Sequence, residues 1–155
     1  MIGVITLKKK ILYVLTETIL LIYPLFYLSP LRVFYLRILG AKIGKNTFID
    51  KISFIGLHHN GFKNLIIKNN VFIGREVLLD LTGVIEIEDY VTIATRTIIL
   101  THTNVGDLNH PLRNKIKNFI GNVKIGYGSF IGANAIILGG SNLNKLSIVR
   151  AGDLK

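Results

Sequence analysis

The 155-residue sequence contains no cysteine. That excludes disulfides and thiolate metal sites and leaves the redox compartment open. Acidic residues are also scarce, nine against nineteen Lys and Arg, for a formal charge of +10. Charged residues of both signs make up only 18% of the chain while half is hydrophobic, which is apolar for one soluble domain but is not a multi-span membrane composition. A basic chain invites a nucleic-acid reading, yet no groove-reading motif and no basic run interleaved with aromatics is present, so no nucleic-acid partner is expected. A long unbroken apolar run is missing too. "ILYVLTETILLIYPLFYL" (11–28) follows the "KKK" of 8–10, but Thr16, Glu17, Thr18 and Pro24 interrupt it, and eighteen residues is the short limit for crossing a bilayer. No small-residue cleavage site follows, which argues against a signal peptide.

What the amino-terminal region does have is concentrated positive charge. Residues 1–45 carry seven Lys and Arg against Glu17 alone. Residues 1–40 are therefore read as an apolar, basic helical segment lying in an anionic membrane interface. A helix packed on the rest of the fold or on another subunit, and a true transmembrane helix, are the alternatives. "SPLRVFYLRILG" continues with basic residues on an apolar stripe and stops at Gly40, a plausible helix end.

From Ile43 the chain counts in sixes. Ile43, Ile49, Ile55, Ile67, Ile73 and Leu79 share one phase, with a gap at the turn-rich "HHNGFKN". After a shift of two residues at "LTGVIEIE" come Ile87, Ile93 and Ile99, and after a longer break Ile125, Ile131, Ile137, Leu143 and Val149. Small or acidic residues often follow, as at Gly44, Asp50, Gly74, Asp80 and Gly132. A strand facing one core alternates with period two and a helix repeats at three and four. A hexapeptide period instead indicates an all-β parallel β-helix over residues 41–155, whose triangular coils each take three repeats and stack at strand spacing.

"AKIGKNTFID", "VFIGREVLLD", "VKIGYGSFIGANAIILGG" and "LSIVRAG" resemble the left-handed β-helix hexapeptide-repeat acyltransferases, most nearly the sugar and polysaccharide O-acetyltransferase branch, over residues 38–152. The resemblance implies a left-handed coil and acetyl-coenzyme A as acyl donor, with no metal. It also implies a homotrimer with sites between subunits, and a sugar or lipid-linked glycan as acceptor.

A stack of coils is mostly smooth aliphatic wall, so its chemistry must sit where the repeat fails. The longest failure separates Ile99 from Ile125, and "THTNVGDLNHPLRNKIKNFIGN" fills it. A long loop on a rigid scaffold (103–122) is where binding and catalysis concentrate. His102 stands at its base. Acyl transfer to a hydroxyl needs the proton removed as oxygen attacks, which suits an imidazole, and the resemblance assigns that role to His102. Asp80, about one coil earlier, is expected beside it, either positioning the acceptor or capping its own corner. Asn104, Asp107 and His110 are candidates for acceptor hydroxyls. His58 and His59 do not reproduce the ligand spacing of the gamma-class carbonic anhydrases that share such coils, and no metal site is expected.

For the donor, the resemblance carries coenzyme A contacts to Ala133 and Ala151, where backbone passes close to the pantetheine arm. Gly132 would leave space, and Arg150 and Lys155 would meet the nucleotide phosphates. Two stretches depart from the family pattern. "GGSNLNK" (139–145) replaces a proline-glycine corner, and Asp153 stands where a serine is usual, two residues before Lys155. These departures keep a second reading open, a non-catalytic β-helix scaffold at the membrane. The enzyme reading places the protein in the cytoplasm at the inner membrane face, where lipid-linked glycans are built.

Overall fold

The computed structural model describes residues 27–107 and 109–155, together with Ile11, Val14, Leu15, Thr18 and Tyr23. The expected interfacial helix over residues 11–28 therefore lies for the most part outside the described residues. Among those described, no helix is long and apolar enough to cross a membrane.

The repeat builds a three-faced prism of parallel strands. Face A stacks β1 (Lys42–Ile43), β4 (Leu65–Ile67), β7 (Ile85–Ile87), β12 (Val123–Ile125) and β15 (Asn142–Leu143). Face B stacks β2 (Phe48–Ile49), β5 (Phe72–Ile73), β8 (Thr92–Ile93), β13 (Phe130–Ile131) and β16 (Ile148–Val149). Face C stacks β3 (Ser53–Ile55), β6 (Leu78–Asp80), β9 (Ile98–Ile99) and β14 (Ile136–Ile137), and Leu154 bridges to Ile136 beyond it. Register aligns the aliphatic positions from coil to coil, as in Ile43, Ile67, Ile87, Ile125 and Leu143 along face A. Ile49, Ile73, Ile93, Ile99, Ile131 and Ile137 have no exposed surface, and burial of each such side chain contributes about 1.5–3 kcal/mol.

One inward position differs from the sequence count. Ile55 is exposed, and Phe54 points inward and pairs with Leu79. The corner between faces B and C is one residue shorter in the first coil than in the later ones, and period-two alternation then exchanges the two side chains.

The corners between faces A and B, and between B and C, turn in two residues. The second, three positions past the inward aliphatic, takes a left-handed backbone. Asn46, Asn70, Glu76, Tyr90, Arg96, Asn134 and Leu146 adopt φ between 53° and 61° there. Each costs on the order of 1 kcal/mol for an L residue. Hydrogen bonds between stacked corners, such as Asn70 N to Lys45 O (2.9 Å) and Arg96 N to Arg75 O (2.9 Å), hold the geometry.

Every insertion falls on the third edge, from face C to face A. The step between inward residues there is 13 in the first coil (Phe54 to Ile67), 8 in the second (Leu79 to Ile87) and 26 in the third (Ile99 to Ile125), and it returns to 6 in the fourth (Ile137 to Leu143). In the first coil the insertion is a turn and a 3-10 segment, Gly61–Asn64, that sends Phe62 into the core.

Helix α1 (Ser29–Ile38) closes the amino-terminal end of the prism. Ser29, Arg32, Val33 and Leu36 form its buried face. An end coil leaves strand groups without partners, and α1 supplies them. Ser29 Oγ accepts from Ile49 N (2.8 Å), Arg32 Nη1 donates to Ile49 O (3.2 Å), and Arg37 donates to Ile43 O (2.9 Å) and Gly44 O (2.6 Å). These two arginines, read from sequence as charges for lipid phosphates, are spent on the carbonyls of the first coil.

Face B differs from the others on its outer side. Phe48, Phe72, Phe130 and Ile148 project from it and are exposed, with Phe48 and Phe72 stacked at a centroid distance of 5.0 Å.

Candidate active site

The site grows from the two-residue insertion in the second coil. Leu79 ends its inward course at the third edge, and Asp80, Leu81 and Thr82 follow at the corner. Asn64, buried on the coil above, donates through Nδ2 to Leu81 O (2.8 Å) and Thr82 O (3.2 Å), so the carbonyls of the bulge are paired. Asp80 has no exposed surface. Its Oδ1 accepts from Thr82 N (3.1 Å) and Thr82 Oγ1 (2.7 Å), and its Oδ2 accepts from Thr101 N (2.8 Å) and His102 N (3.0 Å). The fifth donor is the His102 ring, with Nδ1 2.5 Å from Oδ2.

Burial alone would raise the Asp80 pKa. The hydrogen bonds from Thr82, His102 and Thr101 outweigh it and hold the carboxyl at about 2, because donors stabilise the ionised form. The carboxylate can only accept, so Nδ1 of His102 carries a proton, and in the neutral ring this tautomer leaves the lone pair on Nε2. Thr82 Oγ1 lies 3.2 Å from the same Nδ1. The His102 side chain is one-third exposed, and among the described residues Nε2 has no hydrogen-bond partner and is not buried. The arrangement is an outward-facing basic nitrogen backed by a buried anion.

Thr101 ties the two coils together. Its Oγ1 donates to Asp80 O (2.8 Å) and accepts from Gly83 N (2.8 Å), and its carbonyl accepts from Gly121 N (2.8 Å) where the loop returns. His102 itself begins β10 (His102–Thr103), which pairs antiparallel with β11 (Phe119–Ile120), so the long loop leaves the prism as a hairpin. Within it, Asn104 Oδ1 accepts from Gly106 N (2.6 Å), Asp107 Oδ1 from Asn109 N (2.9 Å) and His110 Nδ1 from Leu112 N (3.1 Å). All three side chains are exposed and are engaged in shaping the loop's own turns.

Asp80 thus sits behind the imidazole, sealed from an acceptor, rather than lining a substrate surface. Three neighbours were missed in the sequence. Thr82 orients the carboxylate, Thr101 locks the coils, and Gly56 lies on the coil above. The two-residue shift at "LTGVIEIE" marked the place without naming the chemistry. Gly56 has φ +75°, and a Cβ there would meet Thr82 Oγ1 and stand 2.6 Å from Asp80 Oδ1. Replacement of Gly56 by Ala is expected to cost about 1–3 kcal/mol of stability through backbone strain and displacement of Thr82. A thermal melt reads the loss, and an unchanged melting temperature would show that the corner has room.

The positions carried over for a donor lie elsewhere on the prism. Ala133 and Ala151 occupy stacked corners between faces B and C, joined by Gly152 N to Ala133 O (2.9 Å). Within one chain they are separated from His102 by the width of face C. Gly132 is buried, and the space where its side chain would be is filled by the backbone of Arg150 and Ala151 on the next coil. Its smallness therefore serves coil stacking and leaves no opening. Arg150 and Lys155 are exposed, and neither forms an ion pair among the described residues, which leaves both charges available to a phosphate. His58 and His59 lie in an exposed turn with ring centroids 4.3 Å apart. Among the described residues no three His, Asp or Glu side chains gather as a metal site would require.

No family model and no curated protein matches the chain. Solved structures do. A maltose O-acetyltransferase from Clostridium difficile 630 superposes with a TM-score of 0.64 at 23% identity, covering 90% of this chain and 74% of that one. A hexapeptide-repeat-containing acetyltransferase from Vibrio cholerae, complexed with acetyl coenzyme A, gives 0.62 at 15% identity over 94% of this chain and 85% of that one. AntD, an N-acyltransferase from Bacillus cereus in complex with dTDP and coenzyme A, gives 0.56 at 22% identity over 77% and 75%. At these identities the likeness establishes the fold, the left-handed parallel β-helix of hexapeptide repeats.

Proposed function

We propose that this chain is an acetyl-coenzyme A-dependent O-acetyltransferase acting on a hydroxyl of a sugar or lipid-linked glycan, at the cytoplasmic face of the membrane, in polysaccharide biosynthesis. One observation carries the reading: His102, at the root of the only long excursion among the described coils, presents an Nε2 bonded to none of the described residues while Asp80 holds its Nδ1–H. Acetyl-coenzyme A supplies a thioester carbonyl. Nε2 removes the acceptor hydroxyl proton as that oxygen bonds to the carbonyl carbon, and the buried carboxylate stabilises the imidazolium that forms. When the C–S bond breaks, the same proton passes from Nε2 to the departing thiolate, and His102 returns to its starting state. No covalent enzyme intermediate is needed, in keeping with a chain that lacks cysteine.

The donor would be held by the small corners at Ala133 and Ala151, with Arg150 and Lys155 toward its phosphates. Since those corners and His102 lie on different edges of one prism, the reading requires two subunits to meet, and a homotrimer supplies that. The exposed Phe48, Phe72, Phe130 and Ile148 on the outer side of face B support the assembly, because an exposed apolar wall of this kind marks an interface. Incubation with acetyl-coenzyme A and a panel of nucleotide- and lipid-linked sugars is expected to yield acetylated product and free thiol. No donor binding at millimolar concentration would overturn the enzyme and leave a scaffold.

A further inference from the structure

We infer that the α1-capped end of the prism is a docking surface for an anionic phospholipid bilayer. The inference rests on the membrane location proposed above and is independent of the chemistry. Two observations meet at this end. The buried face of α1 leaves Leu31, Phe34 and Ile38 on the opposite side, 46%, 61% and 65% exposed, with Tyr27 at its start 87% exposed. Within the helix, Leu31, Phe34 and Ile38 follow one another at intervals of three and four residues, which is one continuous stripe, and Tyr27 stands just before its first turn.

Around that stripe the first coil carries a lysine at each of its three corners, Lys45 between faces A and B, Lys51 between B and C, and Lys63 between C and A. All three are exposed, and none forms an ion pair among the described residues. Lys63 lies against the end of α1, its Cγ 3.3 Å from where a Cβ of Gly40 would stand. The charge is local. Residues 27–70 hold seven Lys and Arg against Asp50 alone, whereas residues 71–155 hold nine against seven acids. Arg32 and Arg37 are absorbed by the first coil's carbonyls, which leaves five exposed lysines, three of them, Lys45, Lys51 and Lys63, at the corners of the first coil. An apolar stripe ringed by unpaired ammonium groups matches an anionic interface, where acyl chains take the stripe and headgroup phosphates take the lysines. A second copy of this chain would meet the same lysines and gain like-charge repulsion.

The test is co-sedimentation of the full chain with phosphatidylcholine vesicles, with or without about a third phosphatidylglycerol. Binding is expected only with the anionic vesicles and is expected to fall as salt is raised. A Leu31→Ser, Phe34→Ser, Ile38→Ser variant and a Lys45→Glu, Lys51→Glu, Lys63→Glu variant should each lose binding at least tenfold. The lysine variant alters only exposed corners, so it stands as the independent arm if the helix variant misfolds. Undiminished binding of the lysine variant, equal binding to neutral vesicles, or a change of oligomeric state in place of vesicle binding would overturn the inference. Acetylation of a soluble sugar without vesicles reads the enzyme reading separately, so either proposal can fail alone.

Discussion

Replacement of His102 by alanine is expected to lower kcat by about 10²–10⁴, the usual contribution of a positioned general base, while the dissociation constant for coenzyme A stays unchanged. The separation follows from the geometry. His102 lies on the edge between faces C and A, whereas the corners at Ala133 and Ala151, proposed above to hold the donor, lie between B and C. The ring is one-third exposed and, among the described residues, bonds only to Asp80 and Thr82, so its removal should shift the melting temperature by a few degrees at most. Steady-state kinetics with a thiol-release readout, beside direct donor titration, measures both quantities. Retention of more than about a tenth of the wild-type kcat would reject His102 as the base.

Asp80→Asn is expected to damage turnover and stability together, by different routes. The wild-type carboxylate accepts five hydrogen bonds on two oxygens. An amide keeps one accepting oxygen and turns a donor group toward either Thr82 or the Thr101–His102 pair. With no reliable acceptor at Nδ1, the imidazole proton moves to Nε2 in part of the population, and that fraction is inactive. A loss of about 10²–10³ in kcat with little change in the KM for donor is expected. Opposed donors in a buried site should remove about 2–4 kcal/mol of stability.

The pH dependence gives the second readout. Asp80 is held at about 2 in the folded chain, against an ordinary value of 3.8. Its contribution to stability is therefore complete above about pH 4 and lost as pH falls toward 2. Thermal melts between pH 6 and pH 2 should show that part of the acid sensitivity in the wild type and not in Asp80→Asn. Identical acid slopes would mean that Asp80 is not the group responsible.

The sequence made the prism legible because a closed triangular coil demands an inward side chain at every sixth residue, and aliphatic residues answer that demand almost everywhere. Ile55 was misread because the period cannot reveal a corner one residue short; both Phe54 and Ile55 are apolar, and only the pairing of Phe54 with Leu79 decides between them. The left-handed corner residues were equally hidden. Leu146, Tyr90 and Arg96 are not types that advertise a positive φ, and stacking between coils imposes it.

In the site, coil counting put Asp80 near His102, but only the hydrogen bonds distinguish a carboxylate facing a substrate from one sealed behind a ring. Asn104, Asp107 and His110 illustrate the same limit, since a side chain that caps a turn and one that awaits a ligand are identical as letters. Arg32 and Arg37 looked like charges for a membrane because composition cannot see the unpaired carbonyls of an end coil. The division of the Ala133 and Ala151 corners and the histidine between two edges is likewise a property of the closed prism, invisible along the chain.

The confinement of every insertion to the edge from face C to face A has an engineering consequence. Lengthening or exchanging the segment from Asn104 to Asn118 leaves faces A and B in register, because β7 still meets β12 and β8 still meets β13 whatever the excursion between them. The loop can therefore drift in sequence and length, or be redesigned by transplantation, without renegotiating the packed interior.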